Sequence, residues 1–374
     1  MTITENMAVL ARSAATVPTA AAAVVDPAPG ANLIINGGMT VSQRGTSFTG
    51  MGASNVYLMD RWFVNYGGTV ARFTATQSTD VPSNGDFAYS MKVDCTTIDA
   101  SMDAADLITI ETRLEGQDLQ HLDYGAATAK TATLSFWFKS AKTGVHCVFF
   151  NTGVSTRSYI HEFTIAVADT WEEFSVVIPG DASGVIANAN TEGLRVGFTF
   201  VGGSNYQAAA DTHVASGDFA TSGQQNLFDN TAHNYFFTGV KLEVGSSATA
   251  FQHEPYGDVL ARCQRYLCAV KGLTNPMRFG WGYSYNTTVA QWTYVSPVSM
   301  RATPTLSHSG TSHFAIENGA STDTTPSNLV ITGNGYNNMT TFSCYSQTTG
   351  LTAGQGCLIK SVNTSAAVYF SSEL

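Results

Sequence analysis

The feature that most constrains this chain is a rhythm of short aromatic and β-branched runs, each closed by Gly, Asn, Asp, Ser or Pro. Leu134-Ser135-Phe136-Trp137-Phe138-Lys139 is strand-like, and so are Val145 to Phe150, Tyr159 to Val167, Glu173 to Ile178, Leu194 to Phe200 and Asn234 to Val244. Side chains of this kind suit a pleated, half-buried surface, and turn residues at their ends cut the chain into strands. Strands at this spacing with no helices between them predict an antiparallel β-sandwich. Asp99 to Glu115 reads as strand or short helix. Residues 202–233, polar and rich in Ala and Gly, read as a long excursion.

Charge narrows the choice. Only 12% of residues are charged, against about 25% in an average soluble protein. That is too little for a solvated disordered chain or for exposed helix faces. With 44% apolar residues, a real core can be buried. The net charge is −10, and the 18 Lys and Arg are scattered. A nucleic-acid reader needs a basic stripe, so no nucleic acid is expected as a partner, nor an anionic membrane surface. No apolar run reaches the ~18 residues of a transmembrane helix, so no membrane insertion is expected. Near the start, Glu5, Arg12 and Pro18 interrupt the apolar stretches, which does not fit a secretory signal.

Four segments follow. Residues 1–31, Ala-rich and ending in Pro27-Ala28-Pro29-Gly30, read as a flexible arm that orders on a partner or stays a loose tail. Residues 32–254 form the sandwich. Within 255–272, a helix is expected over 256–270, because Val259, Leu260, Cys263, Tyr266, Leu267 and Val270 share one helical face. Pro255 stands near its start and Gly272 after its end. Residues 273–374 return to strands: Met277 to Tyr285, Thr288 to Val298, Leu306 to Ile316, Leu329 to Ile331, Met339 to Tyr345 and Val368 to Phe370, with Asn334-Gly335 suited to a hairpin turn. Charges are nearly absent after Arg301, so burial against sister copies is expected there.

Catalytic chemistry finds no foothold. The eight His are dispersed, and HExxH, GxSxG and GxxxxGK[ST] are absent. Glu172 and Glu173 are adjacent, so in a strand they face opposite ways and cannot flank a glycosidic bond. None of the six Cys forms CxxC, so zinc spacing is missing; buried free thiols are expected. No enzyme activity, metal site or cofactor is expected, save that the acidic loop Asp99 to Asp106 could hold a structural Ca²⁺ without EF-type spacing.

Asn32-Leu33-Ile34-Ile35-Asn36-Gly37-Gly38-Met39, Val41-Ser42-Gln43-Arg44-Gly45 and Asp60-Arg61-Trp62 together resemble the opening of a family of phage tail-fibre and virion appendage proteins. Phe237-Thr238-Gly239-Val240-Lys241-Leu242-Glu243-Val244-Gly245 and Ala250-Phe251 resemble the end of that family's sandwich module. Cys263-Gln264-Arg265-Tyr266 resembles its helix, and Met300-Arg301-Ala302-Thr303-Pro304-Thr305 its C-terminal domain. The ordered set spans residues 32–305. The resemblance implies a carbohydrate-binding-like jelly roll, a homotrimer on the virion, residues 1–31 anchoring it to other virion proteins, and host attachment through a surface glycan. An architectural fibre, decoration or tail adaptor without a ligand is the first alternative, and a polysaccharide-trimming enzyme the second.

Arg44, Asp60, Arg61 and Arg301 lie in charge-poor surroundings, where a paired structural network or separate surface charges both fit. Trp62 is expected in the core, and Gly239 at a bulge in the strand from Phe237. Residues 279, 281, 283 and 285 share one face of a regular strand. Trp281, Tyr283, Tyr285 and Trp292 are the glycan-binding candidates, because a ring's flat face covers a sugar's C–H face. The same stripe also suits a core or a subunit interface.

Overall fold

The computed structural model describes residues 30–153, 156–319, 323–331 and 339–374. The expected arm up to residue 29 and the expected Asn334-Gly335 turn lie outside the described residues. The protein is all-β: an antiparallel jelly-roll sandwich, a short linking helix and a second, smaller β-domain.

The sandwich strands are β1 (Ser47–Met51), β2 (Val56–Tyr57), β3 (Trp62–Gly67), β4 (Arg72–Ser78), β5 (Ser90–Thr97) and β6 (Leu107–Glu115). They continue as β7 (Ala132–Ser140), β8 (Gly144–Thr152), β9 (Arg157–Ile165), β10 (Glu172–Ile178), β11 (Glu192–Gly202) and β12 (Asn234–Val244). One sheet runs β1-β4-β5-β12-β7-β10 and the other β2-β3-β6-β11-β8-β9, so the chain passes repeatedly from sheet to sheet. Inward side chains meet as a shared aromatic core. Phe198 and Phe237 stand 4.7 Å apart, and Trp62 meets Phe237 edge-on at 5.2 Å. Burying a ring of this size stabilises by roughly 2–3 kcal/mol. Residues 99–106 are irregular and the strand begins at Leu107, which decides the ambiguous stretch. The excursion after β11 lies on the outer side of the second sheet, where Phe219 covers Cys147, Phe149 and Ile160.

Two local devices shape the sandwich. Asn36 adopts φ +59° and its amide binds the carbonyls of Val41 and Asp60, both at 2.9 Å. Beside it a Cβ on Gly37 would stand 1.9 Å from the Val240 carbonyl oxygen, so no other residue fits. In β12 the register against β7 shifts between Thr238 and Lys241, with Gly239 at φ +63°.

Helix α1 covers Tyr256–Gln264 and not 256–270. Val259 and Cys263 pack on Val41. Residues 267–270, expected as its last turn, instead lie in strand β13 (Leu267–Lys271), which pairs with the final strand. A short apolar run carries no periodicity that separates a helix's end from a buried strand, and the ladder decides.

The second domain adds β14 (Arg278–Ser284), β15 (Val289–Val295), β16 (Thr305–His308), β17 (Phe314–Asn318) and β18 (Asp323–Thr324). It closes with β19 (Asn328–Ile331), β20 (Thr341–Gln347), β21 (Gly356–Ser361) and β22 (Ala367–Ser371). A three-stranded sheet, β13-β22-β16, covers a seven-stranded sheet, β18-β17-β21-β14-β15-β20-β19. Leu306 to Ile316 is therefore not one strand: a 3-10 turn at Thr311–His313 sends β16 and β17 to different sheets. Between the sheets lie Phe279, Trp292, Phe314, Phe342, Val368 and Phe370.

Candidate functional site

Three of the four charge-network candidates converge on the last residues of the chain. Arg61, held at φ +73° ahead of β3, is 1% exposed. Its guanidinium donates to the Glu373 carboxylate and to the Arg113 carbonyl, and lies 3.4 Å from the Tyr266 ring centroid. Arg44 reaches the same carboxylate at 3.3 Å. Arg301 donates to the carbonyls of Ser372 at 2.6 Å, Glu373 at 2.8 Å and Asn190 at 2.9 Å. Asp60 faces elsewhere, accepting from the Gln43 backbone at 2.7 Å and its amide at 2.5 Å. Burial pushes the Asp60 carboxyl up, and the Gln43 bonds oppose that. Two further ion pairs extend this seam: Arg265 grips Glu115 with bonds of 2.7 and 2.8 Å, and Arg113 holds Glu111 at 2.9 Å. The arrangement rivets the second domain to the sandwich and offers no exposed acid–base pair. Glu373 and Arg265 were invisible to local reading, because their partners lie 150 or more positions away in the chain, whereas Arg113 pairs with Glu111 two residues before it on the same strand.

The aromatic candidates separate into two groups. The register of β14 against β21 shifts between Arg278 and Gly280. This bulge turns Phe279 to the inner face, 8% exposed and edge-on to Phe314 at 5.2 Å. Phe279 therefore does not share a face with Trp281, because the extra residue reverses the alternation. Trp292 is also corrected: it is 2% exposed, and its indole donates to the Ser346 hydroxyl at 3.0 Å. A Cβ on Gly280 would lie 2.6 Å from the Trp292 ring, so glycine there makes room for the buried indole. Trp292 belongs to the core and cannot reach a sugar.

Trp281, Tyr283 and Tyr285 point to solvent, 80%, 44% and 57% exposed. Trp281 and Tyr283 are two residues apart on β14, about 6.6 Å, and Tyr285 follows just past its end. Strand pairing adds residues that the sequence alone did not bring to them. The Tyr283 hydroxyl donates to the Gln291 side chain at 3.0 Å, and Gln291 donates to the Ser343 hydroxyl at 2.7 Å. Tyr345 on β20 stacks on Tyr285, with centroids 6.2 Å apart and planes 20° apart. The outer face of the seven-stranded sheet thus carries four rings with an amide between them. At its far edge Lys360 is paired with both Glu317 and Asp323 at 2.9 Å. Flat rings beside side-chain amides can cover a sugar's C–H face while bonding its hydroxyls.

The other candidates named from the sequence lie within the chain's own contacts. The Trp171 indole donates to Asp80 at 3.0 Å, and Trp137 is half-buried. In the acidic loop, Asp99 accepts from the Thr69 hydroxyl at 2.7 Å and Asp106 from the Asp103 backbone at 2.7 Å. Among the described residues, no group of three or more His, Cys, Asp or Glu could hold a metal ion.

No protein-family profile matches the chain, and no curated protein matches it. Solved structures do. The enzymatically active domain of tailspike protein 4 of bacteriophage CBA120 matches at 12% identity and TM-score 0.31, over 57% of this chain and 21% of that one. A family 11 carbohydrate-binding module from a Clostridium thermocellum cellulosomal cellulase matches at 14% identity and TM-score 0.27, over 53% of this chain and 95% of that one. A carbohydrate-binding module in complex with β-1,4-galactotriose matches at 10% identity and TM-score 0.29, over 57% of this chain and 99% of that one. These likenesses concern about half of the chain and assign it no activity.

Proposed function

We propose that this chain is a structural, non-enzymatic protein of a tailed-phage virion: a fibre or appendage that attaches the particle to its host by binding a surface glycan. The observation that carries the reading is the solvent-facing row of Trp281, Tyr283 and Tyr285 on the outer face of the sheet, completed by Tyr345 and Gln291. Large aromatic groups left this exposed are poor choices for a face that meets only water. On the outer face of a sheet, with an amide held between them, they suit a sugar's apolar side. The resemblance of residues 32–305 to tail-fibre proteins supplies the virion. The protein works as a homotrimer assembled in the host cytoplasm, with residues 1–31 docking on other virion proteins. Weak contacts per subunit are multiplied by three copies and by several fibres.

The test is binding of the intact protein to a host-glycan array, before and after Trp281→Ala. Loss of signal in the variant supports the reading, and a blank array for the intact protein overturns the receptor role. Sedimentation as a monomer removes the trimer. Release of reducing sugar from capsule or lipopolysaccharide would move the protein to the enzymes. Antibody-labelled negative-stain images of the particle place it on tail or capsid.

A further inference from the structure

The row of rings does not end at Tyr285. The Tyr285 backbone N–H donates to the Val289 carbonyl at 2.8 Å, and Val289 pairs across β15 and β20 with Gln347. Alternation puts Val289, Gln291, Tyr345 and Gln347 on the same outer face. Val289 and Gln347 also line a groove of about 310 Å³, whose other walls are Thr288, Thr325, Ser327, Thr348 and Thr349. The walls are held by their own hydrogen bonds. The Thr348 hydroxyl donates to the Thr325 carbonyl at 3.1 Å, the Ser327 hydroxyl to the Gln347 carbonyl at 3.1 Å, and the Thr348 backbone to the Thr288 carbonyl at 2.9 Å.

The groove is lined by hydroxyls and an amide and has no charged wall. The charges on the outer face sit away from the groove: Arg278 is exposed at the start of β14, before Trp281, and Lys360 is neutralised by Glu317 and Asp323. An acidic sugar seated in the groove would lose its hydration without gaining a cation. Neither does a hydroxyl-lined groove match the apolar centre of a subunit interface. From Trp281 to Gln347 the face spans on the order of 16 Å, by strand rise and strand spacing. That is too long for one terminal sugar.

Resting on the glycan reading above, we propose that the ring row and the hydroxyl-lined groove are one continuous site for a neutral, linear oligosaccharide of several residues. Trp281 covers one end, Tyr283 and the Tyr285–Tyr345 pair carry the middle, and the Thr288–Ser327–Gln347 groove receives the other end.

The experiment uses the full chain in calorimetric titrations with neutral glucans and galactans, each as a ladder from disaccharide to hexasaccharide, and with uronic-acid ladders of equal length. Ser327→Trp fills the groove from an exposed position, and Thr349→Trp does so from the other wall. Binding by the intact protein should tighten with chain length for a neutral ladder and not for an acidic one. Each groove variant should remove that length-dependent gain, about tenfold at the hexasaccharide. Trp281→Ala should weaken every rung. If both groove variants keep the full gain while Trp281→Ala abolishes binding, the continuous site is wrong and the glycan reading stands. If acidic ladders bind tighter, the ligand class is wrong. If no ladder binds, or if Trp281→Ala changes only the oligomeric state, both proposals fall.

Discussion

Arg61 and Glu373, 312 positions apart in the chain, form an ion pair whose side chains are 1% and 5% exposed. Arg44 shares the carboxylate, and the Tyr266 ring lies under the guanidinium. Removing one partner of such a pair leaves a buried charge uncompensated. Glu373→Gln should therefore cost about 3 kcal/mol or more of stability in urea unfolding. A loss below ~1 kcal/mol would mean that water already screens the pair.

Trp281 and Trp292 lie one strand apart and should respond in opposite ways. Trp292→Ala empties the space over Gly280 and should cost about 3–5 kcal/mol, as large-to-small core changes do. Trp281→Ala should stay within about 0.5 kcal/mol of the parent in thermal melts, because the side chain is 80% exposed. Equal destabilisation would place Trp281 in an interface between copies.

His146 sets an acid limit. Burial lowers its pKa to about 4, since its ring is enclosed by Phe138, Phe163 and Tyr235. Nε2 donates to the Lys142 carbonyl at 3.1 Å, and Nδ1 has no partner among the described residues. The folded pKa is below the unfolded one, so the neutral ring stabilises fully above pH ~6.5. That contribution is lost as pH falls from about 6.5 toward 4, on the order of 3 kcal/mol by linkage. His146→Leu should flatten this limb of the stability–pH curve. An unchanged slope between those pH values would show that other groups carry the acid response.

All six cysteines are free and buried. Burial raises the Cys147 thiol to about 11, and that of Cys344 well above its ordinary value. A thiol that stays protonated and shielded reacts slowly. Native protein should give almost no colour with a thiol-exchange reagent, and denatured protein should titrate all six. Fast modification of even one in the native state would point to local opening near it.

The sequence by itself determined the all-β class and the strand-rich core, because alternation and turn residues are local properties. Leu134 to Lys139 and Asn234 to Val244 are legible as strands for that reason, and the aromatic content of Phe279 to Tyr285 is legible too. Only the tertiary structure decided which rings face water. The bulge before Gly280 turned Phe279 inward and the neighbouring glycine admitted Trp292, a choice made by pairing with β21 and β15. The same holds for Leu267–Lys271, drawn out of the helix by the ladder to β22, and for Glu373, whose arginines come from sequence-distant loops. Register and long-range docking are set by contacts between distant segments, and no local pattern encodes them.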